Sequence, residues 1–120
     1  MIYLASPYSD PDPEEMERRY LIVMEANAHY MRLNKPCYSS IVHCHMMAKK
    51  YHLPKEFEFW RQFDFHMIAL AASVHVLFMD GAWKSSVGVN AEIEYARGQN
   101  KPVRLVNWVN GELLEIQDLS

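Results

Sequence analysis

The sequence has 120 residues, half of them hydrophobic and 22% charged, with a formal net charge of −3. These values predict one folded domain over residues 1–120 and exclude a disordered or collagen-like chain. The mildly acidic charge argues against a nucleic-acid-binding surface, which needs excess positive charge. No signal-peptide pattern opens the chain, and the apolar stretch around residues 67–79 is too short to cross a bilayer. We therefore expect a cytoplasmic protein without membrane or nucleic-acid partners, in which Cys37 and Cys44 are free thiols.

The positions of the glycines narrow the kinds of phosphate site that the chain can build. The sequence contains four, Gly81, Gly88, Gly98 and Gly111. Their spacing forms neither a Walker A loop nor a GxGxxG dinucleotide loop. A small anionic ligand would therefore have to be held by other local groups.

Hydrophobic periodicity predicts strands that alternate with helices along the chain. In chain order, we predict a strand at residues 2–5, a helix from Pro13 to about Asn34, and a second strand with the loop leaving it within 37–42. Helices follow at 46–53 and 56–72, then a strand at 74–79, a helix at 88–97 and a strand at 103–106. Asp12 is expected to cap the first helix and Gly98 to end the last one. Residues 111–120 show no clear pattern. The alternation predicts right-handed βαβ units, and hence an α/β fold whose parallel sheet is covered on both faces.

Three loops of this predicted fold are expected to surround one crevice. In open α/β sheets, ligands lie outside the carboxyl ends of the strands, where the order of the strands reverses. This rule brings together residues 5–9, 39–45 and 80–88. Any chemistry is expected to lie on these loops and on the helix that follows the third.

Glu92 stands out on that helix. Gly88, Glu92 and Ala96 follow one another at steps of four and so share one side of the helix, beside a stripe of small and apolar residues. Glu94 falls on the other side and is expected to be solvated. A carboxylate near a helix start that faces a crevice suits covalent catalysis at an electrophilic carbon. Alternatively, Glu92 only favours the positive end of the helix or pairs with an arginine.

Three segments resemble a known family: Tyr3–Pro7, Ser86–Ala96 and Lys101–Val103, which read YLASP, SVGVNAEIEYA and KPV. They are similar to the nucleoside 2-deoxyribosyltransferase superfamily, which includes the transferases and the deoxynucleoside 5′-monophosphate N-glycosidases. The resemblance extends over residues 1–106 and is most specific at Ser86–Ala96. The loop Gly81–Ser86 is similar to that of small phage and bacterial members.

The resemblance implies roles for three residues. Glu92 matches the nucleophile that attacks C1′ of the deoxyribose and holds the sugar as an ester. Tyr3 matches the tyrosine that contacts this carboxylate. Asp64 is the best match to the aspartate that protonates the leaving base, although its spacing to the next strand is one residue longer than usual. Asp64 is otherwise a solvated helix residue.

Ser86 bears on the substrate. The transferases usually carry an acidic residue at this position, and the monophosphate glycosidases carry a serine whose hydroxyl can donate to a phosphate oxygen. With Gly88 and the helix start, Ser86 would form a modest anion site. The simpler interpretation is that Ser86 only caps the helix. In the first loop, Ser6 is assigned to substrate binding, and Tyr8 either stacks on a base, bonds a phosphate or merely packs.

Histidine and tryptophan supply further substrate-binding candidates. His43 and His45 alternate along a predicted strand or loop, so both can face the crevice, and His43 is assigned to substrate contact. Trp83 and Trp60 are each able to offer a flat wall to a nucleobase. Zinc is not expected, because the cysteines and histidines lack a metal-binding spacing. We expect no cofactor.

Together these observations predict a five-stranded parallel sheet in a three-layer sandwich of the Rossmann-like or flavodoxin-like kind. The expected reaction is hydrolytic cleavage of the N-glycosidic bond of a 2′-deoxynucleoside 5′-monophosphate through Glu92. The alternatives are base exchange between nucleosides and a non-catalytic nucleotide-binding module. The partner is a small deoxynucleotide or deoxynucleoside, and the resemblance also implies a homodimer or a larger homo-oligomer.

Overall fold

A computed structural model describes all residues from Met1 to Ser120. It contains five strands and four α-helices: β1 (Ile2–Ala5), α1 (Pro13–Arg32), β2 (Cys37–Tyr38), α2 (Ser40–Tyr51), α3 (Phe57–Leu70), β3 (Ser73–Leu77), α4 (Val87–Gly98), β4 (Val103–Val109) and β5 (Glu112–Asp118). A short 3-10 segment, Met79–Ser85, joins β3 to α4. The predicted α/β class is confirmed. None of the helices combines the length and the apolar character that a membrane span requires.

The five strands form one mixed sheet in the order β2-β1-β3-β4-β5. The first three pairings in this order are parallel, whereas β5 runs antiparallel to β4. The prediction of an entirely parallel sheet was therefore wrong at its last strand. The two strands are joined by Asn110 and Gly111, which both have positive φ (51° and 75°). This Asn-Gly pair is typical of tight hairpins, and such a short connection can only reverse the chain.

The second strand is confirmed at Cys37–Tyr38, but a helix follows it where the sequence predicts a loop. The prediction of a loop to residue 42 and of a helix only from residue 46 was wrong, because the Ser39 hydroxyl accepts a hydrogen bond from the Val42 backbone N–H (3.2 Å) and starts α2 at Ser40. Serine in this role satisfies an N–H that the first turn of the helix leaves free. His43 and His45 consequently lie on a helix.

Two other helix ends test the expected caps. Asp12 caps α1 as predicted, accepting a hydrogen bond from the Glu14 N–H at 3.0 Å. Gly98 does not end α4 in a left-handed conformation, because that conformation falls at Asn100, with φ of 57°. Asparagine tolerates left-handed backbone better than most residues, so it replaces glycine in this turn.

The sheet lies between two helical layers. On one face, Val23, Ala26 and Tyr30 of α1 pack on Leu4 and Leu77. The opposite face is covered by α3 and α4, and its buried core consists of Tyr3, Ala5, Ile68, Ala71, Val74, Val76, Val89, Ile93, Ala96, Val103, Leu105 and Leu119. Because successive strand residues point to opposite faces, Leu4 faces α1 while Tyr3 faces α3 and α4.

The order of the strands determines where a ligand can lie. β1 is flanked by β2 on one side and β3 on the other, so the chain leaves β1 and β3 in opposite directions across the sheet. Such a reversal leaves a crevice outside the carboxyl ends of the two central strands. The loops after Ala5 and Leu77 border this crevice.

The packing predicts a contrast between two aliphatic residues of α3. Ile68 is fully buried and Leu70 is 64% exposed. Ile68→Ala is expected to lower the free energy of unfolding by about 2–5 kcal/mol, because it leaves a cavity between α3 and the sheet. Leu70→Ala is expected to change it by less than about 0.5 kcal/mol. Chemical denaturation of both variants measures the difference, and equal losses would contradict this packing.

Candidate active site

A cleft of about 530 Å³ opens at the carboxyl ends of β1 and β3. Its walls come from β1 and the loop after it, from α2, from the first half of α3 with the residues before it, from the first half of α4, and from the 3-10 segment. The volume is in the usual range of small-molecule sites. The cleft occupies the place where the strand order predicts a ligand site.

Glu92 lies at the inner wall of the cleft on α4. The buried residues of this helix are Val89, Glu92, Ile93 and Ala96, which is the spacing of a core-facing stripe. Glu92 therefore occupies a core position, and its side chain is only 5% exposed. Glu94, by contrast, is exposed, as predicted.

Tyr3 is the direct partner of Glu92. The Tyr3 hydroxyl donates a short hydrogen bond to Oε2 of Glu92, and it also lies 3.1 Å from the Ser40 hydroxyl. Tyr3 is fully buried in β1, where it is fixed by the sheet on both sides. A carboxylate held by a rigid strand residue has one defined orientation toward the cleft.

Asp64 is the second carboxyl group of the inner wall. It lies on α3, one helical turn before the buried Ile68, and is itself buried. Its Oδ1 is shielded from solvent and has no hydrogen-bond partner in the protein. The alternative of a solvated Asp64 was therefore wrong. A buried, unpaired carboxyl oxygen is costly and favours a group that either holds a proton or meets a ligand donor.

The two carboxyl groups perturb each other. Burial raises the pKa of Glu92 well above its usual value, and the charge of Asp64 raises it further, while the hydrogen bond from Tyr3 lowers it. Burial also raises the pKa of Asp64 to about 6, against the opposing influence of Ser40, Glu92 and Tyr3. Two coupled carboxyl groups that are both buried do not both ionise at neutral pH, so the pair retains one proton.

Tyr3 acts on the ionised form of Glu92. A donated hydrogen bond stabilises a carboxylate more than a carboxylic acid. Because burial raises the pKa of Tyr3 well above 10, the phenol keeps its proton and remains a donor. Tyr3 therefore stabilises the carboxylate form of Glu92, and the one retained proton is shared between Glu92 and Asp64. This arrangement provides a nucleophile and an acid side by side.

The predicted residues around Glu92 also border the cleft. Ser6, Ser86 and Gly88 all line it. Ser86 caps α4, because its hydroxyl oxygen accepts a hydrogen bond from the Val89 N–H at 3.2 Å. A Cβ at Gly88 would lie 3.1 Å from the ring of Phe57, so a larger residue there would require this ring to shift.

The aromatic wall differs from the prediction. Trp60 and Phe57 line the cleft, whereas Trp83 does not. Trp83 packs against the core between the sheet and α4, with its indole N–H buried and unpaired. Trp60 is held in place because its indole N–H donates to the Pro54 carbonyl at 2.8 Å. Trp60 is thus the tryptophan that lines the cleft.

The histidine that reaches the cleft also differs from the predicted one. His43 is exposed and lies outside the cleft, whereas His45 is buried and lines it. Two residues apart on a helix are rotated by about 200°, so they cannot face the same side as they would in the predicted extended segment. His45 meets Tyr8, whose hydroxyl lies 2.5 Å from its Nδ1.

Sequence reasoning missed Ser40 and the pairing of His45 with Glu17. Their signals are weak individually: Ser40 follows a serine cap, and Glu17 is one of several acidic residues in α1. Only the packing of α1 and α2 beside β1 brings Ser40 to the cleft and Glu17 to His45. No three His, Cys, Asp or Glu side chains are grouped as a metal site requires.

The buried acid predicts how stability depends on pH. The pKa of Asp64 rises to about 6 on folding. Between its unfolded value of about 4 and about 6, the native state holds more protons than the unfolded state, so stability falls as pH rises. Asp64→Asn removes this loss, and its stability relative to the unmodified protein should increase by roughly 2 kcal/mol from pH 4 to pH 7. Thermal denaturation at the two pH values measures this change.

The control for this experiment is Glu94→Gln, which removes an exposed carboxylate from α4. Its stability relative to the unmodified protein should differ by less than about 0.5 kcal/mol between the two pH values. If Asp64→Asn behaves in the same way, Asp64 is not a buried acid in solution.

Comparisons with known proteins define the family of the chain. No curated protein matches the sequence. The family model described as "Domain of unknown function (DUF1937)" matches residues 1–108, which contain β1 to β3, all four α-helices, β4 except its last residue, and every residue of the cleft. The chain belongs to the DUF1937 family.

Proposed function

We propose that this protein cleaves the N-glycosidic bond of a 2′-deoxynucleoside 5′-monophosphate by hydrolysis. The observation that carries the proposal is the buried group formed by Tyr3, Glu92 and Asp64 at the inner wall of the cleft. It combines an oriented carboxylate with a neighbouring carboxylic acid, which is the pair that retaining glycosidases use. The resemblance of Tyr3–Pro7 and Ser86–Ala96 to the 2-deoxyribosyltransferase superfamily supports the same reaction.

In the first step, the Glu92 carboxylate attacks C1′ of the deoxyribose. A C1′–O bond forms as the C1′–N bond breaks, and the electron pair of the latter stays with the base. Asp64 donates its proton to the departing base, which leaves neutral. Tyr3 holds Glu92 in line with C1′ through its hydrogen bond.

In the second step, water attacks C1′ and breaks the ester. The Asp64 carboxylate accepts a proton from this water, and Glu92 leaves as a carboxylate. The products are 2-deoxyribose 5-phosphate and the free base, and both carboxyl groups return to their initial states. The low polarity around Glu92 and Asp64 strengthens both the attack and the proton transfer.

The start of α4 offers a place for the 5′-phosphate. Since the Ser86 hydroxyl oxygen accepts from the Val89 N–H, its own proton is free to be donated to a phosphate oxygen. The first N–H groups of α4 add a positive field. Lys55 lines the same cleft and adds a mobile positive charge.

Trp60 and Phe57 form a wall for the base. Both rings line the cleft, on the same helix as Asp64. Aromatic faces stack on every nucleobase, so this wall binds a base without selecting one. Stacking there would place the base next to the acid that protonates it.

Glu92→Gln should reduce the release of free base by at least about 10³-fold, because the amide is not a nucleophile. Asp64→Asn should lower kcat by roughly 10²-fold or more, since the base must then leave without a proton. Free base released from deoxynucleoside monophosphates is measured by chromatography. Glu94→Gln is the matched control and should retain full activity. Retention of activity by Glu92→Gln would remove Glu92 as the nucleophile.

The same assay separates hydrolysis from base exchange. With a second free base present, hydrolysis yields only sugar phosphate and the original base. A nucleotide that carries the second base would instead assign the protein to transfer. Absence of reaction with all deoxynucleosides and deoxynucleotides, combined with their binding, would favour a non-catalytic module.

Ser86→Asp tests the phosphate site. Aspartate caps a helix as well as serine, so α4 should remain stable, but its charge repels a phosphate. We expect kcat/KM to fall by about 10-fold or more for a monophosphate and to stay within about 3-fold for the free deoxynucleoside. Ser86→Asn keeps a cap without the charge and should lose much less. Equal losses on both substrates would show that Ser86 only caps the helix.

A further inference from the structure

A chain of hydrogen bonds crosses the wall of the cleft that the loop after β1 and the α2 helix form. The Tyr8 hydroxyl lies 2.5 Å from Nδ1 of His45, and Nε2 of the same ring lies 2.7 Å from Oε2 of Glu17. Tyr8 and His45 line the cleft, whereas Glu17 lies behind them on α1. The residues come from three separate segments, and none has a role in the reaction proposed above.

The donors and acceptors along this chain follow from its ends. The Glu17 carboxylate can only accept a hydrogen bond, so Nε2 of His45 carries the proton between them. In a neutral imidazole, Nδ1 is then an acceptor, and the Tyr8 hydroxyl donates to it. Burial, together with the negative charge of Glu17, raises the pKa of Tyr8, which therefore remains a phenol with a proton to donate.

Packing fixes the imidazole in this position. The ring of His45 stacks on Tyr20 at a centroid distance of 4.0 Å and an angle of 19°, and meets the ring of Tyr8 edge-on. His45 is the one buried residue of α2. A ring held by stacking and by two hydrogen bonds presents Nδ1 in a single direction, as histidines positioned by a carboxylate commonly do.

Because its only proton is donated to His45, the Tyr8 oxygen has nothing to donate to a ligand. Its remaining lone pair is an acceptor. A phosphate, which also only accepts, would gain no hydrogen bond from Tyr8. The anionic part of a nucleotide is thus directed away from Tyr8 and toward the start of α4.

We infer that Glu17 and His45 are positioning residues that orient the Tyr8 hydroxyl oxygen as an acceptor for a hydrogen-bond donor of the substrate. The donor is a hydroxyl of the sugar or an amino group of the base. The identity of the substrate as a deoxynucleotide rests on the proposed function. The direction of the hydrogen bonds rests on Glu17, His45 and Tyr8 alone.

Kinetics with three substrates test the inference. They are a 2′-deoxynucleotide that carries both donors, its 2′,3′-dideoxy analogue, and the analogue without the amino group of the base. Tyr8→Phe should raise KM about 3- to 10-fold for the first substrate, with kcat within about 2-fold. Tyr8→Phe should leave the KM unchanged for the analogue that lacks the donor bound by Tyr8. That analogue identifies whether the donor is the sugar hydroxyl or the amino group of the base. Equal losses on all three substrates, or no loss, would overturn the inference.

Two variants of His45 distinguish a role in orienting Tyr8 from a role in supporting the fold. His45→Leu removes the acceptor and should reproduce the substrate pattern of Tyr8→Phe. His45→Asn retains an acceptor near the place of Nδ1, so it should recover part of the affinity. Tyr51→Phe and His66→Leu are matched controls at exposed positions of α2 and α3 and should behave as the unmodified protein. A loss in His45→Asn as large as in His45→Leu, on every substrate, would indicate a structural role only.

A measurement without catalysis distinguishes this inference from the proposed function. Nitrogen NMR of the unliganded protein should show His45 protonated on Nε2 and not on Nδ1, and a proton on Nδ1 would overturn the inference. The binding of the same three ligands to Glu92→Gln, measured by calorimetry, should show the same dependence on Tyr8. If binding follows this pattern and no base is released by the unmodified protein, only the proposed function fails. If none of the ligands binds, both fail.

Discussion

The burial of two carboxyl groups against one tyrosine governs the arrangement of this molecule. Glu92 and Asp64 stand at positions of α4 and α3 where most helices would place an apolar residue, and Tyr3 meets Glu92 from the central strand. Ionising both groups in such a place is costly, so the pair keeps one proton, and the hydrogen bond from Tyr3 stabilises the carboxylate form of Glu92. This burial reduces stability at neutral pH, and the apolar core around it offsets the loss.

The rest of the cleft places hydrogen-bond donors and acceptors around that pair. At the start of α4, the Ser86 hydroxyl and the first backbone N–H groups offer donors, whereas the loop after β1 presents Tyr8 as an acceptor held by His45. A ligand with an anion at one end and hydroxyl or amino groups at the other fits this polarity in only one direction. The reversal of strand order between β1 and β3 is what brings these walls from distant parts of the chain to one place.

Local sequence patterns predict the site residues whose position is determined by a single helix or strand. They do not predict the residues whose position depends on how several helices and strands pack together. Glu92 is recognisable because its helix is otherwise apolar on that side, and Ser86 is recognisable as a cap. His45 lines the cleft in place of the predicted His43, because Ser39 caps α2 and the helix begins earlier than its sequence pattern indicates. The burial of Asp64 depends on how α3 packs across the sheet, which its own periodicity does not encode. The homodimer and the cytoplasmic location that the sequence predicts stay predictions.

The central claim is that Glu92 forms a covalent bond to the sugar. It is tested most directly by mixing the protein with a deoxynucleoside monophosphate, quenching with acid during turnover, and mapping the peptides by mass spectrometry. We expect the peptide containing Glu92 to gain the mass of a deoxyribosyl phosphate, with Glu92 as the modified residue. Release of free base with the sugar on another residue, or turnover that persists after Glu92→Gln without any adduct, would contradict it.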